Sequence, residues 1–223
     1  MKLALLTIGQ SPRTDVLSDV GHLLKGVDYF ERGLLDGISL DEIERVYGPR
    51  PGDEVYVSRL RSGGEVKLSK SRVVEGMKKL IAQVEKDADL ILIMCTGGFD
   101  ISSSRPVILP SRLLIGVVGS LRVRKLGVLV PLREQLGMAE RRWSPMVDEL
   151  VVEYWSPYSG SEEQLRSKAR RLRGVDLVVM DCFGYSTRHA AVVREVAGGP
   201  VALPRTLSLA VALDLLGALR PST

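Results

Sequence analysis

Hydrophobic and polar positions along the chain alternate between two rhythms. Short β-branched and leucine-rich runs at residues 2–8, 54–59, 89–94, 125–130, 150–154, 176–181 and 201–203 have the near-continuous apolarity of strands buried on both faces. Between them, segments such as 70–86, 161–173 and 186–197 carry charged residues at helical spacing. Strand and helix therefore alternate, and the expected fold class is α/β with mainly parallel sheets. Segment 161–173 is the most fully specified helix. Ser161 with Gln164 forms a capping box, Glu162 and Glu163 occupy the first turn, Arg170, Arg171 and Arg173 the last, and Gly174 ends it.

The second half of the pattern echoes the first. Asp89-Leu-Ile-Leu-Ile-Met-Cys95 aligns with Asp176-Leu-Val-Val-Met-Asp-Cys182, with a glycine two residues after each cysteine, Gly97 and Gly184. The run 3–8 leading into Ser11-Pro12-Arg13 has a counterpart in 126–130 leading into Pro131-Leu132-Arg133. This predicts two similar Rossmann-like units related by a pseudo-two-fold axis around an interdomain cleft, with ligands at the carboxyl ends of the strands. The boundary is expected in residues 116–124, and the apolar helix at 205–219 is expected to return to the first unit. The expected domains are then 1–118 plus 205–223, and 119–204.

Composition narrows the class. In 223 residues, 45% hydrophobic and 26% charged with 22 Gly and 11 Pro exclude a disordered or low-complexity chain. The net charge of +4 is spread over the whole length, which argues against nucleic acid; the cluster Arg170-Arg171-Leu172-Arg173 reads as a helix C-terminus. No apolar run approaches the ~18 residues of a membrane span, so no membrane partner and no export signal are expected. Arginine outnumbers lysine 22 to 9, asparagine is absent and glutamine occurs four times, a bias that suggests a thermophilic source. Two cysteines without an export signal point to a reducing cytoplasm.

A pair of thiols flanking a carbon acid can move a proton without a cofactor: one thiolate removes the α-proton and the opposite thiol returns one to the other face. Cys95 and Cys182 are the candidates, with Thr96, Gly97, Phe183 and Gly184 as the residues beside the substrate. Both cysteines read as lying in strand-to-helix turns, where helix N-terminal N–H groups favour the thiolate. Two packed structural thiols, or a disulfide between them, are the competing readings. For anion capture, Ser11 is expected to cap a helix that opens at Pro12, with Arg13 and the free N–H groups holding a carboxylate or phosphate; a plain cap with a solvated arginine competes. His189 would tune Cys182 or bind an anion with Arg188, against a capping or surface role. Asp181 would orient a substrate ammonium or face the helix layer. The glycines match neither a dinucleotide fingerprint nor a Walker loop, and the His and Cys spacing fits no zinc site, so no cofactor and no metal are expected. The turn at Gly33-Leu-Leu-Asp36-Gly37 and a hairpin at residues 59–67 are expected to cover the cleft or an interface.

Thr7-Ile-Gly-Gln-Ser-Pro-Arg13, Cys95-Thr-Gly-Gly-Phe99, Leu109-Pro-Ser-Arg-Leu-Leu114, Val128-Leu-Val-Pro-Leu-Arg-Glu-Gln135 with Trp143, and Asp181-Cys-Phe-Gly-Tyr185 with Arg188-His189 resemble the AroM family across nearly the whole chain. That family is similar to the aspartate/glutamate racemase superfamily of cofactor-independent racemases, isomerases and decarboxylases. The resemblance implies two Rossmann-like domains around a two-cysteine cleft. It also marks a departure, since racemases of that superfamily usually follow the first Cys with Asn-Thr and the second with Thr, whereas Thr96 and Phe183 stand here. The expectation is therefore a cytoplasmic racemase or isomerase acting on a small carboxylate, directed away from amino-acid racemisation. The alternative is a small-carboxylate-binding or regulatory protein without turnover. A homodimer is expected only on the general preference of small enzymes for symmetric assembly.

Overall fold

The computed structural model describes residues 1–219; residues 220–223 of the expected first domain lie outside them. In chain order the elements are β1 (Lys2–Thr7), α1 (Thr14–Val20), β2 (Asp28–Gly33), α2 (Leu40–Tyr47), β3 (Val55–Arg59), β4 (Glu65–Ser69), α3 (Lys70–Val84), β5 (Leu90–Ile93), β6 (Val107–Ile108), α4 (Pro110–Ser120), β7 (Lys125–Val130), α5 (Leu136–Trp143), β8 (Glu149–Tyr154), α6 (Glu162–Arg171), β9 (Leu177–Met180), α7 (Thr187–Ala197), β10 (Val201–Ala202) and α8 (Pro204–Leu215). They divide into two compact units, one running from Met1 to Pro110 and resuming at Arg205, the other Ser111–Pro204. The division falls at the first turn of α4, between Pro110 and Ser111, whereas the expected boundary is residues 116–124. Those residues are not linker: 116–120 complete α4, whose Leu114 and Val118, four apart on one helix face, are buried.

Each unit contains a four-stranded sheet, ordered β2-β1-β5-β6 in the first and β8-β7-β9-β10 in the second, and every pairing in both is parallel. The registers correspond: Leu3 lies opposite Leu90 and Leu6 opposite Ile93, as Leu126 lies opposite Leu177 and Leu129 opposite Met180. The central strands β1, β5, β7 and β9 are buried along nearly their whole length, as the sequence pattern requires of strands covered on both faces.

The repeated aspartates have a structural reason. Asp89 accepts the Lys2 N–H at 2.7 Å and donates its own N–H to the Lys2 carbonyl at 2.9 Å. Asp176 does the same with Lys125, at 2.8 Å in both directions. Each aspartate pins the amino edge of a central strand pair and so fixes its register. A further echo, not read from periodicity, is Pro106-Val-Ile-Leu-Pro110 against Pro200-Val-Ala-Leu-Pro204. The Pro106 and Pro200 carbonyls accept from Ile91 and Val178 respectively, both at 3.0 Å, and the closing prolines open α4 and α8, where a missing N–H costs nothing.

Two features differ from the sequence expectation. The hydrophobic pattern puts residues 54–59 in the parallel sheet, but they belong instead to the hairpin expected at 59–67, which is longer than expected: β3 pairs antiparallel with β4 in a separate two-stranded sheet. Only five residues join them, too few for the crossover a parallel pair needs. Strand β2, Asp28-Tyr-Phe-Glu-Arg-Gly33, gives no hydrophobic signal because it is a partly solvated edge strand with charges along it.

Candidate functional site

The two cysteines sit in the same local structure, one in each unit. Cys95 lies two residues beyond β5; its N–H donates to the Ile93 carbonyl at 2.8 Å, and the Gly97 N–H donates to its Sγ at 3.3 Å. Cys182 lies two residues beyond β9; its N–H donates to the Met180 carbonyl at 2.8 Å, and the Gly184 N–H donates to its Sγ at 3.4 Å. Neither is in a disulfide; Cys95 is partly exposed and Cys182 is buried. Thr96, Phe183 and Gly184 are buried beside them.

The two turns lead into different structure. Cys182 precedes α7, as expected of a strand-to-helix turn, but residues 96–106 after Cys95 form no helix. The spacing explains this: 106 − 95 = 11 residues separate Cys95 from Pro106, whereas 200 − 182 = 18 separate Cys182 from Pro200, and only the longer span has room for α7. A helix thus follows only the second thiol turn, and the donor common to both sulfurs is the glycine N–H.

In the second unit, His189 caps α7. Its Nδ1 accepts the Ser186 N–H at 3.1 Å while its own N–H donates to Ser186 Oγ at 3.2 Å, a capping box with histidine in the place usually held by Glu or Gln. Its ring also meets Trp155 edge-on at 4.9 Å. Tyr185, fully buried, donates to the Trp155 carbonyl at 2.8 Å and stacks on the indole; burial, then the nearby Cys182 and Asp181, push its phenol well above the ordinary tyrosine range, so it remains a neutral donor. Asp181 faces the helix layer: its carboxylate accepts from Arg142 at 3.0 Å and from the Trp143 Nε1–H at 3.1 Å.

The turn after β1 is built differently from the expectation. Helix α1 starts at Thr14 with Arg13 at the N-cap and no side-chain cap bond, so Ser11 does not cap it and Pro12 is not its first residue. The Ser11 Oγ and N–H are drawn instead to Asp36, at 2.6 and 2.7 Å, and the Gly33 N–H joins the same carboxylate at 2.7 Å. Arg13 is not solvated. At 3% exposure its guanidinium spans Asp15 and Thr7 Oγ1, and its N–H donates to Glu31. Carboxylates of the chain itself therefore engage these donors.

The hairpin β3–β4 lies across the turns at the carboxyl edge of the first sheet. Tyr56 and Ser58, on one face of β3, meet the turns after β5 and β1. The Tyr56 hydroxyl donates to the Gly98 carbonyl at 3.0 Å, and a Cβ on Gly9 would lie 2.3 Å from Ser58 Oγ. Tyr56, Trp155 and Tyr158 are the residues at these turns that sequence reasoning missed. Tyr56 reads only as a strand residue and Tyr158 only as a loop residue, because their partners are distant in the chain. A cavity of about 580 Å³ in the first unit is lined by Lys78, Ala82, Glu85 and the Asp100–Ser104 loop; neither Cys95 nor Thr96 lines it. Among the described residues, no group of three or more His, Cys, Asp or Glu is arranged to hold a metal ion, and no helix is long and apolar enough to cross a membrane.

Comparison with known proteins places this architecture. The family model described as AroM protein matches residues 3–216. No curated protein matches the sequence. Among solved structures, a double mutant of arylmalonate decarboxylase in its liganded form is similar over 100% of this chain and 95% of its own, with a TM-score of 0.66 at 11% identity. Allantoin racemase from Klebsiella pneumoniae covers 100% of this chain and 95% of its own at TM-score 0.64 and 13% identity. Glutamate racemase from Aquifex pyrophilus covers 97% and 84% at TM-score 0.58 and 14% identity. The chain shares the fold of these three enzymes.

Proposed function

We propose, since this chain belongs to the AroM protein family and has the fold of the aspartate/glutamate racemases, that it is a cofactor-independent racemase or isomerase of a small carboxylate with Cys95 and Cys182 as its acid–base pair. The observation that carries the reading is the repeated thiol turn, with a glycine N–H bonded to each sulfur at 3.3 and 3.4 Å. An N–H donor on sulfur favours the thiolate over the thiol. In the proposed step one thiolate takes the α-proton, the electron pair passes into the adjacent carboxylate as an enediolate, and the opposite thiol protonates the other face. The thiol and thiolate exchange places and the stereocentre inverts, so no redox partner is consumed. Thr96 and Gly97 beside one sulfur, and Phe183 and Gly184 beside the other, are the proposed lining. The part proposed for Ser11 and Arg13 is to hold the β1 turn, because their donors already meet Asp36, Glu31 and Asp15.

Phe183, buried and apolar next to Cys182, favours a second reading in which the chain binds a small carboxylate without turning it over. Incubating a panel of amino acids, hydroxy acids and substituted malonates in heavy water separates the two. Deuterium entering the α-carbon, with inversion, supports the enzyme; saturable binding without exchange on any member supports the binder.

A further inference from the structure

We infer that Tyr56 and Tyr158 are positioning residues, each holding in place the glycine whose N–H is bonded to a thiol sulfur. A Cβ on Gly97 would lie 2.5 Å from Cζ and 2.7 Å from the hydroxyl of Tyr56. The ring therefore occupies the space that a side chain at position 97 would need. It is 3% exposed, its hydroxyl bonds the Gly98 carbonyl, and the Phe99 ring lies 6.0 Å away, so it engages three consecutive residues of the Cys95 turn. In the second unit, a Cβ on Gly184 would lie 2.5 Å from the hydroxyl and 2.7 Å from Cζ of Tyr158.

The two tyrosines come from unrelated places, one from the hairpin strand β3 and one from the loop after β8, yet both seat against the glycine two residues beyond a cysteine. Backbone and sequence repeat account for the glycines but not for this convergence. A peptide N–H reaches the sulfur two residues back only while the turn keeps its rotation, and a ring pressed on the bare Cα blocks the alternatives. Loss of the ring should free the N–H, and with it a donor that favours the thiolate. The inference rests on Cys95 and Cys182 being the reactive pair, but its test requires no substrate.

Thiolate ultraviolet absorbance is followed against pH in two single-cysteine backgrounds, Cys95→Ser reporting on Cys182 and Cys182→Ser reporting on Cys95. Tyr158→Leu should lower the Cys182 thiolate fraction about fivefold at a fixed pH below the midpoint, and Tyr158→Phe, which keeps the ring, should restore most of it. Gly184→Ala should match Tyr158→Leu and add nothing in its presence. Neither change should move Cys95, which should respond in the same way to Tyr56→Leu and Gly97→Ala. Tyr158 is half-buried, and Gly184→Ala is titrated separately so that either variant can decide. An unchanged Cys182 titration in the folded variants, or an equal shift at both thiols, overturns the inference. A shift confined to the facing thiol in a protein that turns over no carboxylate leaves it standing while removing the racemase reading.

Discussion

The guanidinium of Arg13 grips the carboxylate of Asp15 at two points, Nε to Oδ1 at 2.8 Å and a terminal nitrogen to Oδ2 at 2.7 Å. Burial alone would raise the Asp15 carboxyl, but the Arg13 hydrogen bond and charge outweigh it and hold the group below its ordinary range. Arg13 also reaches Thr7 at the end of β1, so one side chain ties the turn to the strand that precedes it. Arg13→Ala should therefore cost about 3 kcal/mol of stability, as removal of one partner from a buried pair does. Urea unfolding checks this; a loss below about 1 kcal/mol would mean that water readily replaces the guanidinium.

The proposed proton transfer by two thiols makes a paired prediction. Cys95→Ser and Cys182→Ser should each lower racemisation by at least about 100-fold, because a serine hydroxyl is too weak an acid to replace a thiol. Stability should change by less than about 1 kcal/mol, since Ser is close to Cys in volume and the Gly97 or Gly184 N–H can donate to its oxygen. Each single variant should still exchange the α-proton of one enantiomer with heavy water. Turnover surviving both substitutions would return the cysteines to a packing role.

Asp181 should matter for folding and not as a ligand of substrate. Its buried carboxylate holds the Trp143 Nε1–H and the Arg142 guanidinium, so Asp181→Ala should destabilise by about 3 kcal/mol through stranded donors. Asp181→Asn keeps an acceptor for the indole and should cost about half as much. Thermal unfolding ranks the variants. A selective loss of carboxylate binding at unchanged stability would instead place Asp181 in the site.

Acid should weaken the second unit through Asp176. The Lys125 and Arg124 N–H groups, in that order, hold its carboxyl below the ordinary range. A depressed pKa contributes stability that is present above the unfolded value and is lost as pH falls through the folded one. The window therefore lies at and below about pH 4. Over it, the urea midpoint of Asp176→Asn should fall less steeply than that of the parent protein. Glu31 works in the opposite sense: burial raises it despite the Arg13 N–H, so its contribution is present at low pH and fades as pH rises through its folded value. Identical acid limbs for parent and Asp176→Asn would show that the lowered carboxyl is not linked to folding.

The sequence alone determined the parallel α/β class, the internal repeat, the capping box of α6 and the AroM resemblance. These are local or periodic properties. A strand buried on both faces must be apolar throughout, and Ser161 and Gln164 cap a helix through residues three apart. The repeat likewise placed both cysteines just past strand ends, since Asp89 and Asp176 fix the register six residues earlier. Tertiary structure decided what those turns contain. Asp36, 25 residues away, drew Ser11 out of the expected cap, whereas the short span to Pro106 and the Ser186–His189 cap are again local. The rings of Tyr56 and Tyr158 came to rest on Gly97 and Gly184 from 41 and 26 residues away in sequence. Such contacts leave no periodic trace. A tyrosine in a strand or loop is chosen for the surface that it will meet, and that surface exists only once the chain has folded.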